Sequence, residues 1–173
     1  GILRGLVTHS KTDFFIDHGQ IRGVQAEYVQ EFLKKLNQSR TNRFHASESN
    51  RIIPQFVPVA FDELIPSLLA GKGDIAAAFL TMTPERDADV DFISPQGRFV
   101  DEILVAHKDA EPIKSLADLA GRTVYVLKGS SYASHLLELN EQLEIVELPP
   151  VNMINTDTQL LTEDILELVN AGI

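Results

Sequence analysis

The run Ile75-Ala-Ala-Ala-Phe-Leu80 is apolar at every position and no longer than a strand. A strand without polar alternation has both faces covered, the situation of a parallel sheet flanked by helices. The neighbouring segments fit that arrangement. Leu3–Thr8 is a short apolar strand, and His9–Gly19 is a polar loop that holds Phe14 and Phe15. Val24, Tyr28, Phe32, Leu33 and Leu36 recur at helical spacing, which predicts a helix over Gly23–Leu36. Asn37–Pro54 reads as a polar surface excursion, with Arg40, Arg43 and Arg51 against one acid, Glu48. Gln55–Val59 is a strand. Asp62–Ala70 is a helix stopped by Gly71, with a kink or late start expected at Pro66. Strands over Asp74–Phe79 and Phe99–Ala106 complete a β-α-β-α-β order, and so an α/β fold with right-handed crossovers.

The pattern then restarts. Ser115-Leu-Ala-Asp118 is a capping-box start for a short helix that ends at Gly121. Thr123–Leu127 is a strand, and a helix runs from Gly129-Ser130-Ser131 through Leu139. Glu144–Leu148 reads as a strand ended by Pro149-Pro150, and Thr162–Val169 as a helix with Gly172 as its stop. This order predicts two α/β lobes, residues 1–108 and 109–173, with the seam near Lys108–Ile113. Ile173 reads as the first residue of a further strand, so the second lobe is expected to be incomplete at its C-terminus.

Composition narrows the function classes. With 25 Asp+Glu against 15 Lys+Arg the net charge is −10, which argues against nucleic acid as a partner. No Cys is present, so thiol nucleophiles and Cys-zinc sites are excluded. His9, His18, His45, His107 and His135 show no metal spacing, and no motif calls for a cofactor. No nucleophile–base set emerges from order or spacing, so no catalytic residue is assigned.

Two segments carry binding chemistry. Thr81-Met-Thr83-Pro84-Glu85-Arg86 follows the apolar strand, and ligands in open α/β sheets sit beyond the carboxyl ends of strands. Thr83 suits a helix cap with Pro84 at the first position, which leaves the planar fork of Arg86 near the strand end, where it can hold a carboxylate. Thr81 can add a hydroxyl bond. The same residues equally suit an ordinary cap with Arg86 paired to Glu85, Asp87 or Asp89. Gly129-Ser130-Ser131 also follows a strand and opens a helix, and suits either a small anion cradle or plain N-capping. Phe14 and Phe15 suit either a ligand wall or core packing beneath the first helix.

The run Leu64-Ile-Pro-Ser-Leu-Leu-Ala-Gly-Lys-Gly-Asp-Ile-Ala-Ala-Ala-Phe-Leu-Thr-Met-Thr-Pro-Glu-Arg86, followed by Val90-Asp-Phe-Ile-Ser-Pro95, resembles the extracellular solute-binding proteins of family 3, the periplasmic amino-acid binders. Leu127-Lys-Gly-Ser-Ser-Tyr-Ala133, Pro149-Pro-Val-Asn152 and Glu163-Asp-Ile-Leu-Glu-Leu-Val-Asn-Ala-Gly172 bring it closer to the solute-binding-like domain of F-type membrane-bound lytic transglycosylases. The resemblance implies a type II periplasmic-binding-protein fold of two lobes, truncated within the second, at the cell envelope or in the periplasm. It implies a sensing domain for a carboxylate-bearing amino acid or cell-wall peptide, with catalysis in a separate domain of the parent chain. Arg86 would take the ligand carboxylate with help from Thr81, Phe14 or Phe15 would line the pocket, and Gly129–Ser131 would meet the ligand from the second lobe. Phe79 stands where amino-acid binders usually carry Gly, which narrows the site, and Gln96-Gly97 stand where an aromatic is common. An amino-acid binder serving an ABC importer is the alternative. A dehydratase of the cyclohexadienyl type is a third reading, and it lacks a nameable acid/base pair. The truncation leaves sheet edges open, which predicts dimerisation or element swapping.

Overall fold

The computed structural model describes residues 1–44, 50–93, 100–156, 160 and 162–172, with the backbone alone for Phe44. Expectations placed on Gln96, Gly97, Phe99 and Ile173 lie outside the described residues. The chain divides by internal packing into two compact units, Gly1–Asp91 and Phe92–Ile173.

In the first unit, β1 (Ile2–Val7) lies between β4 (Ile53–Pro58) and β5 (Ile75–Ala76), all parallel. The prolines of β4 show how the sequence selects the edge. Ile53 N and Val59 N donate to Gly1 O and Val7 O of the central strand, so odd-numbered residues of β4 face their partner. Pro54 and Pro58 are even-numbered, and their missing N–H groups fall on the unpaired side. β5 is shorter than the expected Asp74–Phe79. Its bonds to β1 run only from Asp74 N to Ala77 N, and Leu80 N then turns back to Ala78 O at 2.8 Å.

The helix α1 (Val24–Phe44) returns from β1 to β4 and is longer than expected, taking in the first part of the Asn37–Pro54 excursion. Its buried stripe is Ala26, Val29, Leu33 and Asn37, whereas Val24, Tyr28 and Phe32 are exposed at 42%, 67% and 51%. The apolar spacing therefore identified the helix but assigned part of its inward face wrongly. The polar loop before α1 contains a hairpin, β2 (Phe15–Asp17) and β3 (Gln20–Arg22), that periodicity did not reveal. At the end of this hairpin, Gly23 has φ +114°, and a Cβ there would lie 2.3 Å from Asp13 O. Only glycine fits such a close approach. Pro66 lies in the first turn of α2 (Leu64–Leu69), which follows a 3₁₀ turn at Phe61–Glu63, so the helix starts late. The short α3 (Pro84–Asp89) completes the unit.

The second unit repeats a smaller strand–helix–strand. Parallel strands β6 (Thr123–Leu127) and β7 (Asn152–Thr156) flank α4 (Ser131–Ile145), and α5 (Thr162–Asn170) follows. The Ser115–Asp118 capping box is present on a 3₁₀ turn, Leu116–Leu119. The core joins Leu119, Leu139, Leu143 and Val151. Two expected strands are corrected here. Glu144 and Ile145 continue α4, because Leu139 and Leu143 extend the helix's buried stripe past the expected stop. Val100–Ala106 forms no strand, and Val100, Ile103, Leu104 and Val105 remain exposed. A β-rich sequence becomes a strand only where a neighbouring strand supplies hydrogen bonds.

Candidate functional site

In the first unit the three strands point their carboxyl ends toward the segment Ala77–Thr83. Val7, Phe14 and Ala26 form the core beneath that end, with Phe56 and Ala77 against them. Phe14 is 3% exposed, its ring 5.4 Å from that of Phe56. Phe15 is half-buried on β2, opposite Arg22, and Phe79 is 64% exposed. Of the three candidate aromatics, Phe14 faces the core and Phe79 faces outward. Thr8 Oγ1, just past β1, is buried with no hydrogen-bond partner among the described residues, a feature with no signature in the sequence.

Thr83 caps α3 as expected, its Oγ1 accepting from Arg86 N at 3.4 Å, with Pro84 at the first helical position. Arg86 Nη1 donates to Thr81 O at 2.7 Å. The structure thus brings Arg86 and Thr81 together, through the threonine's backbone carbonyl rather than its hydroxyl. That bond ties the half-buried guanidinium to the last turn of chain leaving the sheet. A tethered planar fork loses little freedom on meeting a carboxylate, which favours two parallel charge-assisted bonds.

In the second unit Gly129 has φ +74° and turns the chain from β6 into α4. Ser130 is the N-cap, its Oγ accepting from Ala133 N at 3.3 Å. Ser131 is 4% exposed, and its Oγ donates to Glu102 Oε1 at 2.9 Å. Glu102 Oε2 lies 2.9 Å from His135 Nδ1, one helical turn further along α4. Ser131 and His135 thus hold the two oxygens of one carboxylate. The imidazole would have to stand between hydroxyl and acid to activate a serine, and here the carboxylate stands in the middle. This geometry supports holding a carboxylate. Sequence reasoning found Ser131 but missed Glu102 and His135, which are 33 residues apart and meet only in the fold.

Two carboxyls are held below the usual aspartate range. Asp74 is lowered first by its side-chain hydrogen bond from Arg4, then by the Arg4 backbone N–H. Asp118 is lowered by the backbone N–H groups of Lys114 and Ser115. Both are structural, at the start of β5 and in the capping box. A groove of about 400 Å³ within the second unit is lined by Leu104, His107, Lys108, Glu111, Pro112 and Ile113, with none of the expected site residues.

The model of the bacterial extracellular solute-binding proteins, family 3, matches residues 7–172. A membrane-bound lytic murein transglycosylase F from Desulfosudis oleivorans is 37% identical over 105 residues, 61% of this chain and 22% of that protein. The ABC transporter arginine-binding protein 1 of Escherichia coli is 31% identical over 91 residues, 53% of this chain and 36% of that protein. Among solved structures, an ancestral arginine-binding protein bound to arginine superposes with a TM-score of 0.69 at 26% identity, covering 99% of this chain and 66% of that one. The matched stretches thus span 22% and 36% of the two curated relatives, and the chain covers 66% of the arginine-bound structure.

Proposed function

The chain belongs to the bacterial extracellular solute-binding proteins, family 3, and from that premise we propose that it is the ligand-sensing domain of a lytic transglycosylase of the cell envelope. Its ligand is a carboxylate-bearing amino acid or cell-wall peptide. One observation carries the ligand side: Arg86 is tethered to Thr81 O at the end of the apolar strand, a fork fixed where the sheet delivers it. In this reading Arg86 receives the carboxylate and Thr81 orients Arg86. Phe79 and Phe15 border the ligand, with Phe14 in the core of the same unit, and Gly129, Ser130 and Ser131 form a separate candidate contact for a carboxylate within the second unit. The similarity to transglycosylase F relatives supports the sensing role and an extracytoplasmic location, with glycan cleavage assigned to another domain of the parent chain.

The second reading, an amino-acid binder for an ABC importer, is favoured by the similarity to the arginine-binding protein. The coding sequence after Ile173 separates the two. A muramidase-like domain with a catalytic Glu supports the first, and a stop shortly after the second lobe closes supports the importer.

Calorimetry on the parent protein with a wall-derived tetrapeptide and with L-arginine tests the site. Arg86→Ala is expected to weaken binding about 10–100-fold, since each charge-assisted bond is worth about 1.5–3 kcal/mol and 1.4 kcal/mol is about tenfold. Arg86→Lys should restore only part, because an ammonium lacks the fork. Equal affinity across all three proteins rejects the carboxylate role.

A further inference from the structure

Residues 100–106 combine two properties that rarely coexist. Their sequence favours a strand, yet the structure leaves them irregular, with Ile103 exposed at 83% and Val105 at 51%. Disagreement between local preference and observed state marks a segment with a second arrangement close in energy. Among the described residues, the hydrogen bonds tying this segment to the rest of its unit are those of Glu102, to Ser131 Oγ and His135 Nδ1. The segment has little apolar burial to hold it otherwise.

We propose that Glu102 is a latch, an internal carboxylate that occupies the start of α4 until a ligand carboxylate displaces it. The proposal rests on the reading that the Gly129–Ser131 turn receives the ligand. Ser131 has one hydroxyl proton to donate, so Glu102 and an incoming carboxylate compete for the same bond. Once released, residues 100–106 lose the hydrogen bonds that hold them and become mobile. Ligand arrival at α4 is thereby converted into a change in a segment that does not itself touch the ligand, the minimum requirement for a sensor.

The experiment uses the 173-residue chain, with L-arginine as probe and agmatine, the same molecule without the carboxylate, as control. Backbone order parameters of Ile103–Val105 are measured by NMR in the wild type, in Glu102→Ala and in Glu102→Met, the last retaining side-chain volume without a hydrogen-bonding oxygen or N–H should the alanine variant fold poorly. The expected result is a fall from about 0.85 in the wild type to below about 0.6 in the variants. L-arginine should produce the same fall in the wild type, agmatine should not, and the variants should bind L-arginine about tenfold more tightly. Unchanged order in both variants overturns the latch whatever the ligand does. A fall in the variants with equal L-arginine affinity overturns the competition. A fall with no L-arginine binding by any of the proteins overturns the ligand reading of the α4 turn and keeps Glu102 as the tether.

Discussion

In the first unit Asn37, on α1, donates to Ile52 O at 2.8 Å and accepts from Ile52 N at 2.9 Å, clamping the residue before β4. In the second, Asn140 on α4 does the same to Val151, the residue before β7, at 3.1 and 2.7 Å. Each unit thus fixes its returning strand with one asparagine. Their helix starts differ. The first N–H groups of α1 are taken by the backbone carbonyls of Thr12 and Asp13. At α4 a serine side chain caps the helix and the next serine holds a carboxylate. The hairpin loop closes one strand–helix junction with its backbone carbonyls, while the other is closed by the Ser130 hydroxyl and the bond between Ser131 and the Glu102 carboxylate.

The strongest way to break this comparison is through the seal. Phe14 sits in the loop whose backbone closes α1, and its burial makes Phe14→Ala cost about 3–5 kcal/mol by denaturant unfolding, whereas Phe79→Ala should stay within about 0.5 kcal/mol. A small loss at Phe14 with a large loss of ligand affinity would make it a pocket wall and the seal incidental.

The clamps come next. Asn37→Ala strands a donor and an acceptor at half-buried Ile52, and Asn140→Ala does the same at buried Val151, so each should cost about 1–3 kcal/mol. Chemical denaturation of each variant measures this. A larger loss at Asn140 would mean that the second unit depends on its clamp more than the first, and the likeness would fail.

The smallest effect is in acid. Asp74 and Asp118 both have lowered pKa values in the folded chain. Their stabilisation is therefore complete above the ordinary aspartate value of about 3.9 and is lost as pH falls through the lower folded value. Salt separates them. The Asp74–Arg4 pair at 2.8 Å is half-exposed and weakens by screening, while Asp118 leans on backbone N–H groups and changes less. Melting curves of Asp74→Asn and Asp118→Asn across that pH window, at low and high salt, would sharpen or erase the distinction.

Much of this was legible in residue order. The β-α-β sequence, the late start at Pro66, the Thr83 cap and the Ser115–Asp118 box all rest on local chemistry that acts within a few residues. Arg86 was legible as a fork at a strand end, though its bond to a backbone carbonyl was not. The errors fall where distant residues decide. Val100–Ala106 has the composition of a strand, but composition cannot report whether a partner strand lies beside it. On α1, Val24, Tyr28 and Phe32 repeat every four residues as a buried stripe would, and only the position of the sheet selects Ala26, Val29 and Leu33 instead. Glu102 carries no mark, because its significance lies in meeting Ser131 and His135.

Asn37 marks the point at which α1 passes the beginning of β4, and the helix continues to Phe44. Seven further residues at about 1.5 Å each carry it roughly 10 Å past that point. This overhang points away from the carboxyl ends of the strands and is held at Asn37 and again by Arg40 Nη1, which donates to Asn50 O at 3.2 Å. Loads applied to its tip are resisted at the clamp before they reach Arg86. A fluorophore or surface anchor attached at the exposed Gln38 or Asn42 would therefore leave the bond between Arg86 and Thr81 unperturbed, a mounting point that the first unit carries as part of its own architecture.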